Sequence, residues 1–265
     1  MKKLPKSRSK LIVILFGTFI LTSATMLRGQ DELFETPCFP SGIFAGSSFS
    51  GLALKDQYIS PEKYRGPLWS YNLGWARDHS KYIYRLNFEY GFSEQVKNNN
   101  ARSQVTLVAL RQGFLYPLKA HKLFNKELFI YLGPSADFYY YQNDPVLAIH
   151  GFEYVHSILT MFSLGFNAEL IYPITNRYQL ESAVSLSILS LGIRSVDDEE
   201  SDESMAKLLP VFEALNGSFD LRNRFYILRK LSVSLGYRFQ ITNINAWDPL
   251  IHVRDEITFG LNFKI

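Results

Sequence analysis

The end of the chain alternates strictly between apolar and polar side chains. The apolar positions are Ile257, Phe259, Leu261, Phe263 and Ile265. The polar or small positions between them are Glu256, Thr258, Gly260, Asn262 and Lys264. A period of two places successive side chains on opposite faces of a β-strand. A transmembrane barrel strand buries such an apolar face against lipid and turns its polar face into the lumen. The pattern therefore predicts a membrane strand here.

The first 29 residues have the pattern of a secretory signal peptide. An apolar run, 11–21, and the small residues Ser23 and Ala24 follow a basic start that contains Lys2, Lys3, Lys6, Arg8 and Lys10. We expect cleavage near Gly29 or Gln30, with 22–24 as the alternative. A helical anchor is the other interpretation, but a spanning helix needs about 20 consecutive apolar residues. Residues 30–41 would then form a periplasmic lead-in, in which the single cysteine, Cys38, is an incidental residue.

Loss of the signal peptide reverses the sign of the net charge. Residues 1–29 hold six Lys or Arg and no Asp or Glu, so 22 basic and 25 acidic residues remain, a net charge of −3 at pH 7. The basic character of the full chain thus comes mostly from the targeting segment. Recognition of nucleic acid needs a basic surface on the folded domain, so the composition argues against a nucleic-acid partner.

Alternation along residues 42–265 predicts ten strands. After the signal peptide, the sequence contains no apolar run long enough for a membrane helix. The strands are approximately 42–54, 68–76, 82–92, 104–116, 127–142, 162–172, 178–188, 210–226, 231–242 and 255–265. The fourth and fifth are apolar on both faces, the eighth is irregular, and Gly133-Pro134 predicts a bulge in the fifth. Without helices, a chain that spans a bilayer must close into a barrel to pair its backbone.

The predicted links alternate in length. They are short or fairly short after the even-numbered strands: 77–81, 117–126, 173–177 and 227–230. They are longer and more polar after the odd-numbered ones, as in 93–103 and 143–153. Outer-membrane barrels have short periplasmic turns, long external loops and an even number of strands. This asymmetry predicts that both termini face the periplasm.

In its signal peptide, its alternating strands and its aromatic-rich closing strand, the chain resembles the small bacterial outer-membrane β-barrel proteins, over essentially all of the mature sequence. The closing strand departs from the commonest form of that terminal signal, because Ile265 is last and Phe263 lies two residues before it. The resemblance implies an all-β, transmembrane, antiparallel up-and-down barrel of about ten strands, 42–265. A soluble periplasmic β-barrel or sandwich is the alternative, but such folds seldom carry six aromatic or Leu side chains on one strand face, as 82–92 does.

The alternation also assigns side chains to the two faces of the barrel wall. The predicted polar network of the lumen contains Arg85, Glu89, Glu169, Glu181, Arg238, Gln240, Asn262 and Lys264. The predicted aromatics at the membrane interfaces are Trp69, Trp75, Tyr82, Tyr90, Tyr172, Tyr178, Tyr237 and Phe263. Eight strands leave room only for side chains or one small ligand, and open pores need about sixteen. We therefore expect a filled lumen rather than a diffusion porin.

Signals for catalysis are weak. The polar candidates for a hydrolase on the rim are His150, Glu153, His156, Ser157, His252 and Asp255. His156 and Ser157 are neighbours in a strand and would point to opposite faces. The acidic stretch 197–203 lacks the spacing and the central Gly of an EF-hand loop, so a solvated loop is expected there. The sequence predicts no catalytic residues, no cofactor and no metal site.

These observations predict a structural or interaction component of the bacterial outer membrane rather than an enzyme. The expected partners are outer-membrane lipid, lipopolysaccharide and another envelope protein engaged by the surface loops or the periplasmic face. A narrow channel for small solutes is the first alternative. A surface enzyme that hydrolyses lipid or peptide is the second.

Overall fold

The computed structural model describes residues 41–57, 62–79, 81–98, 101–118, 121–124, 126–146, 156–197 and 205–265. The predicted signal peptide, Cys38 and almost all of the lead-in lie outside these ranges. Within them, no helix has the length and hydropathy needed to cross a membrane.

Twelve β-strands account for nearly all of the described residues. They are β1 Gly42–Asp56, β2 Tyr64–His79, β3 Tyr82–Lys97, β4 Arg102–Pro117, β5 His121–Leu123, β6 Lys126–Val146, β7 His156–Thr175, β8 Tyr178–Asp197, β9 Met205–Pro210, β10 Ala214–Tyr226, β11 Leu231–Ile244 and β12 Leu250–Lys264.

These strands form one closed antiparallel barrel with ten positions around its wall. The strand β5 pairs only with β6. The strands β9 and β10 share one position, because both pair with β8, over different parts of its length. The barrel closes where β1 pairs with β12, from Gly42 opposite Lys264 to Asp56 opposite Leu250. The predicted ten-stranded barrel is confirmed.

The two ends of the barrel differ in their connections. We call the end with Gly42 and Lys264 the terminal end, and the end with Asp56 and Leu250 the loop end. At the terminal end, the links 80–81, 176–177 and 227–230 have two to four residues, and the fourth link, 118–125, contains β5; at the loop end, 57–63, 147–155 and 198–204 have seven to nine residues. The link 98–101 is shorter than predicted, since β3 continues to Lys97.

The bulge predicted at Gly133-Pro134 is wrong. Both residues keep the register of β6 against β7, with Gly133 opposite Asn167 and Pro134 opposite Phe166. The register of β8 against β7 shifts instead at Ile188, since Leu164 faces Leu189 while Gly165 faces Ser187. Beyond this bulge the parity of β8 is reversed, so Ser187 and Ser190 are both buried inside the barrel.

Toward the terminal end the wall is apolar outside and polar inside. On β2, Trp69, Leu73 and Trp75 are exposed on the outer surface, whereas Ser70 is buried. The outer residues of β12 in this zone are likewise exposed and apolar: Ile257, Phe259, Leu261 and Phe263. We call this part of the wall the membrane zone, because lipid covers an outer belt of this kind.

Toward the loop end the polarity of the wall is reversed. The buried inward residues Leu52, Leu54, Leu68, Val105 and Leu107 form one apolar cluster. Exposed polar side chains occupy outward positions on β2, β3 and β4: Arg65, Glu94, Lys97, Arg102 and Gln104. We call this part the projecting zone, because its apolar core and polar surface suit water.

Strand length agrees with two zones. A membrane strand needs about 9–11 residues, whereas β6 has 21 residues and β7 and β8 have 20 each. The strands therefore continue well past the lipid belt at one end. This extension lies at the loop end. At the terminal end, apolar and aromatic outer side chains continue as far as Phe263, next to the short turns.

Close approach of two strands in the membrane zone requires a glycine at 133. A Cβ at this position would overlap the carbonyl oxygen of Phe114 on β4, which is backbone and cannot rotate away. By contrast, a Cβ at Gly51, on the outer face of β1, would meet nothing within 4 Å.

We therefore expect Gly133→Ala to lower the free energy of unfolding by about 1–3 kcal/mol, the usual range for overpacking, and Gly51→Ala to change it little. Urea unfolding in detergent micelles, followed by heat-modifiable electrophoretic migration, measures both. Equal stability of the two variants would contradict the close approach of β4 and β6.

Candidate functional site: the barrel interior

An ion-pair network around Glu89 occupies the middle of the barrel. The guanidinium of Arg254 lies 2.5 Å from Glu89 Oε1, and that of Arg238 lies 3.3 Å from Glu89 Oε2. Arg254 also lies 3.2 Å from Glu256 Oε1, and Arg238 lies 2.8 Å from Asp220 Oδ1. Because Glu89 is on β3 while Arg238 and Arg254 are on β11 and β12, these contacts cross the lumen.

Neutral side chains complete this network. Arg254 donates a further hydrogen bond to Gln240 Oε1, and Ser48 donates one to Glu256 Oε2 at 3.0 Å. Arg254, Glu256 and Gln240 are at most 2% exposed. Burial of charges at this depth is stable only when the ions are paired and hydrogen-bonded.

A second group of ion pairs lies closer to the terminal end. Arg224 contacts Glu181 through Nε at 2.8 Å, and Gln179 donates a hydrogen bond to the same carboxylate at 2.5 Å. Arg85 on β3 contacts Glu169 on β7 at 2.5 Å, which links two strands that are not neighbours in the wall.

A third cross-barrel contact starts from Arg111 on β4. Its Nε lies 3.2 Å from Asp137 Oδ1 on the neighbouring β6, and its Nη1 donates to Ser218 Oγ on the distant β10 at 3.4 Å. Together the three groups connect opposite walls of the barrel.

An apolar cluster fills the projecting zone. Besides the leucines of β1, β2 and β4, it includes the fully buried Tyr141, Leu159 and Met161 of β6 and β7. Tyr139 belongs to the same cluster and shares a 2.7 Å hydrogen bond with Nδ1 of the buried His252. The cluster contains side chains from β1, β4, β7 and β12, so it connects opposite walls of the barrel.

The link 245–249 folds over the same cluster at the loop end. Trp247 packs against it and would collide with a Cβ at Gly192. Arg194 holds this link by donating to the Asp248 carbonyl at 2.5 Å, and it contacts Asp56 at 2.5 Å. The backbone N–H of Gln57 donates to the Pro249 carbonyl at 3.1 Å.

Within the part of the chain that the structure describes, the terminal end is open. A cavity of about 120 Å³ begins between Gly42, Lys230 and Lys264 and reaches the ion pairs of the membrane zone. Other charged side chains that line it are Arg85, Glu89, Arg111, Glu169, Glu181, Asp220, Arg222, Arg224 and Arg238. The interior is thus a polar cup that is closed toward the loop end.

The structure places the predicted lumen residues on the inner face of the wall. Glu89, Glu169, Glu181 and Gln240 are buried within the networks above, and Arg85 and Arg238 pair with carboxylates there. Asn262 is 8% exposed and donates a hydrogen bond to Ser234. Lys264 differs, because it is exposed at the mouth of the cavity.

The predicted interface aromatics divide into two groups. Trp69, Trp75, Tyr90 and Phe263 are exposed on the outer surface, and Tyr82, Tyr172 and Tyr237 are partly exposed. Tyr178 is a correction, since it is only 2% exposed. Its ring stacks on Phe225 of β10 at 4.6 Å, and its hydroxyl donates to Asn223 Oδ1 at 2.5 Å.

The rim residues considered for catalysis do not converge. His156 shares a 2.7 Å contact with Asp144 on the outer surface, whereas Ser157 is fully buried inside beside Arg194. His252 is buried inside, and Asp255 is outside, where it accepts a hydrogen bond from Tyr237. His150, Glu153 and the acidic residues 198–203 lie outside the described ranges. Among the residues described, no group of three or more His, Cys, Asp or Glu is placed to hold a metal ion.

Several residues of the interior were missed by sequence reasoning. They are Asp56, Arg111, Asp137, Arg194, Asp220, Arg222, Arg224 and Arg254. One signal was available for three of them, because Asp220, Arg222 and Arg224 alternate along a predicted strand. A charged face at period two inside a barrel strand indicates the lumen.

Comparison with solved structures identifies the fold. The outer membrane protease OmpT from Escherichia coli matches with a TM-score of 0.52 and 11% identity, over 87% of this chain and 99% of that chain. The translocator domain of the autotransporter NalP from Neisseria meningitidis matches with a TM-score of 0.48 and 10% identity, over 97% of each chain. No protein-family model matches the sequence, and the sequence search against curated proteins found no match.

The closed ten-position barrel, its apolar outer belt and its similarity in fold to OmpT define the class of the protein. It is an outer-membrane β-barrel membrane protein. At 11% identity the similarity to OmpT concerns the fold alone.

The network predicts a strong effect of neutralising its central carboxylate. Glu89→Gln leaves Arg254 and Arg238 with weaker partners inside the barrel, and breaking a buried pair typically costs about 3–5 kcal/mol. Glu94→Gln on the same strand is the matched control, because Glu94 is exposed on the outside. Unfolding midpoints in urea should fall for the first variant only; a similar midpoint for both would contradict the network's role in stability.

Proposed function

We propose that the protein is a sealed scaffold of the outer membrane, which anchors segments that engage another envelope component. One observation supports this proposal most strongly. Ion pairs cross the lumen from β3 to β11 and β12, and an apolar cluster fills the interior beyond them. The ion pairs and the apolar cluster therefore lie one after the other along the lumen of the described barrel, which is the path that a solute would follow.

Conductance tests the sealed interior against the alternative of a narrow channel. In planar bilayers the purified protein should give no steady conductance steps, because the Glu89 network and the apolar cluster exclude a continuous file of water. A diffusion porin inserted under the same conditions is the positive control. Reproducible steps from the wild type that disappear in a denatured sample would overturn the scaffold and favour a channel.

We also propose that the terminal end faces the periplasm and the projecting zone lies outside the cell. The short links 80–81 and 176–177 and the longer links at the other end support this orientation. The exposed polar surface of the projecting zone, including Arg65, Glu94 and Arg102, suits the extracellular medium.

Labelling with a membrane-impermeant maleimide tests the orientation in intact cells. In a Cys38→Ser background, we expect Gln57→Cys at the loop end to react and Lys264→Cys at the terminal end to remain unlabelled. Lysed cells provide the control, since both cysteines should react there. Labelling of residue 264 but not 57 in intact cells would reverse the proposed orientation.

The proposed interaction role is non-enzymatic. The outward His156 and the inward Ser157 support this view, because the two side chains lie on opposite faces of β7. Affinity purification of the full chain from outer membranes, with and without replacement of the acidic residues 198–203, would identify a partner and its dependence on this loop. Hydrolysis of lipid or peptide substrates that is lost in His156→Ala would contradict the non-enzymatic role.

A further inference from the structure

The ring of Phe44 lies inside the terminal-end cavity, and we call it the aromatic shelf. Phe44 is an inward residue of β1, and its ring occupies space left by three glycines on the surrounding strands. A Cβ on Gly46 or Gly260 would collide with the ring, and a Cβ on Gly74 would lie 3.4 Å from it. Glycines on β1, β2 and β12 thus leave room for the Phe44 ring.

The shelf supports Arg222 of β10. The guanidinium carbon of Arg222 lies 5.3 Å from the centre of the Phe44 ring, within the range of a cation–π contact. Both side chains line the cavity. The ring therefore packs beside the guanidinium at the wall of a polar space.

Arg222 is the interior arginine with the loosest ion pairs. Its nearest carboxylates are those of Glu181 at 3.7 Å and Asp220 at 3.9 Å. Both acids have closer partners, because Arg224 contacts Glu181 and Arg238 contacts Asp220, each at 2.8 Å. The donors of Arg222 are thus only weakly engaged by the protein.

Two lysines add positive charge at the mouth of the cavity. Lys230 and Lys264 are exposed there, and no ion pair joins either of them to a carboxylate of the described residues. In total, seven cationic and four acidic side chains line the cavity. Arg254, Asp137 and Glu256 pair with this lining from outside it, so six arginines meet six carboxylates and the surplus positive charge is that of Lys230 and Lys264.

We propose that this cavity binds a phosphate-sized oxyanion, with Arg222 as the main contact and Lys230 and Lys264 as attracting charges at the mouth. A volume of about 120 Å³ admits such an anion, since about 10–15 Å³ by the same measure already holds one water. The planar fork of an arginine suits a phosphate group. This ligand site goes beyond the scaffold function and does not depend on it.

Calorimetric titration of the full-length barrel in a nonionic detergent tests the site, with inorganic phosphate as the first probe. We expect saturable binding at one site per barrel and at least a tenfold loss of affinity in Arg222→Gln. Arg65→Gln is the matched control, because Arg65 is an exposed arginine on the outer surface of β2. A dihexanoyl phosphatidic acid titration distinguishes a lipid headgroup, which would bind more tightly than free phosphate, from a soluble ligand, which would not.

A second pair of variants keeps the test decisive if Arg222→Gln does not fold. Lys230→Gln and Lys264→Gln alter exposed side chains, so they should keep heat-modifiable migration but weaken phosphate binding several-fold and reduce its dependence on salt. Absence of saturable binding in the wild type overturns the proposal. Equal affinity of the wild type and all three variants overturns it as well.

Discussion

Closure of β1 on β12 is the constraint on which the rest of the structure depends. Lipid offers no hydrogen-bond partners to an open sheet edge, so a membrane sheet must pair its first strand with its last. Closure at ten positions leaves a lumen narrow enough for side chains on opposite walls to touch, as Arg85 and Glu169 do. The inner face must then satisfy its own charges. Seven arginines and seven carboxylates form the ion pairs of the described interior.

The reversal of polarity along the strands explains which parts of the fold could be predicted. Strands 82–92 and 255–265 lie mainly in the membrane zone, where apolar residues point out, and their alternation is clear in the sequence. In β4, Val105 and Leu107 point into the projecting zone, whereas Leu110 and Phe114 point to lipid. Such a strand is apolar on both faces because its two halves bury opposite faces. Its irregular pattern thus reflects the change from the projecting zone to the membrane zone along the strand. One alternating pattern of apolar and polar residues cannot describe both zones.

The interior was predictable in kind but not in its pairings. Alternation assigned Glu89 and Arg238 to the lumen, but their contact joins β3 to β11, residues separated by 149 positions in the chain. Barrel curvature and strand stagger decide such a contact, and neither can be read from local sequence. Tyr178 shows the converse limit, because its position in the alternation is outward while Phe225 and Asn223 cover it. The bulge at Ile188 depends on how β8 pairs with β7, so it too cannot be read from local sequence.

The two fillings of the lumen differ in physical character, and this difference assigns them different tasks. The apolar cluster around Leu68 and Leu107 gains its stability from removing apolar surface from water. The ion pairs around Glu89 gain little net stability but are costly to break singly. The projecting zone therefore fills the lumen with packed apolar side chains, while the membrane zone fills it with paired charges. Among the described residues, the second filling ends in an open cup, where Arg222 on its aromatic shelf has only weakly engaged donors. In such a barrel, the apolar cluster that fills the lumen and the cavity proposed to bind a ligand lie toward opposite ends.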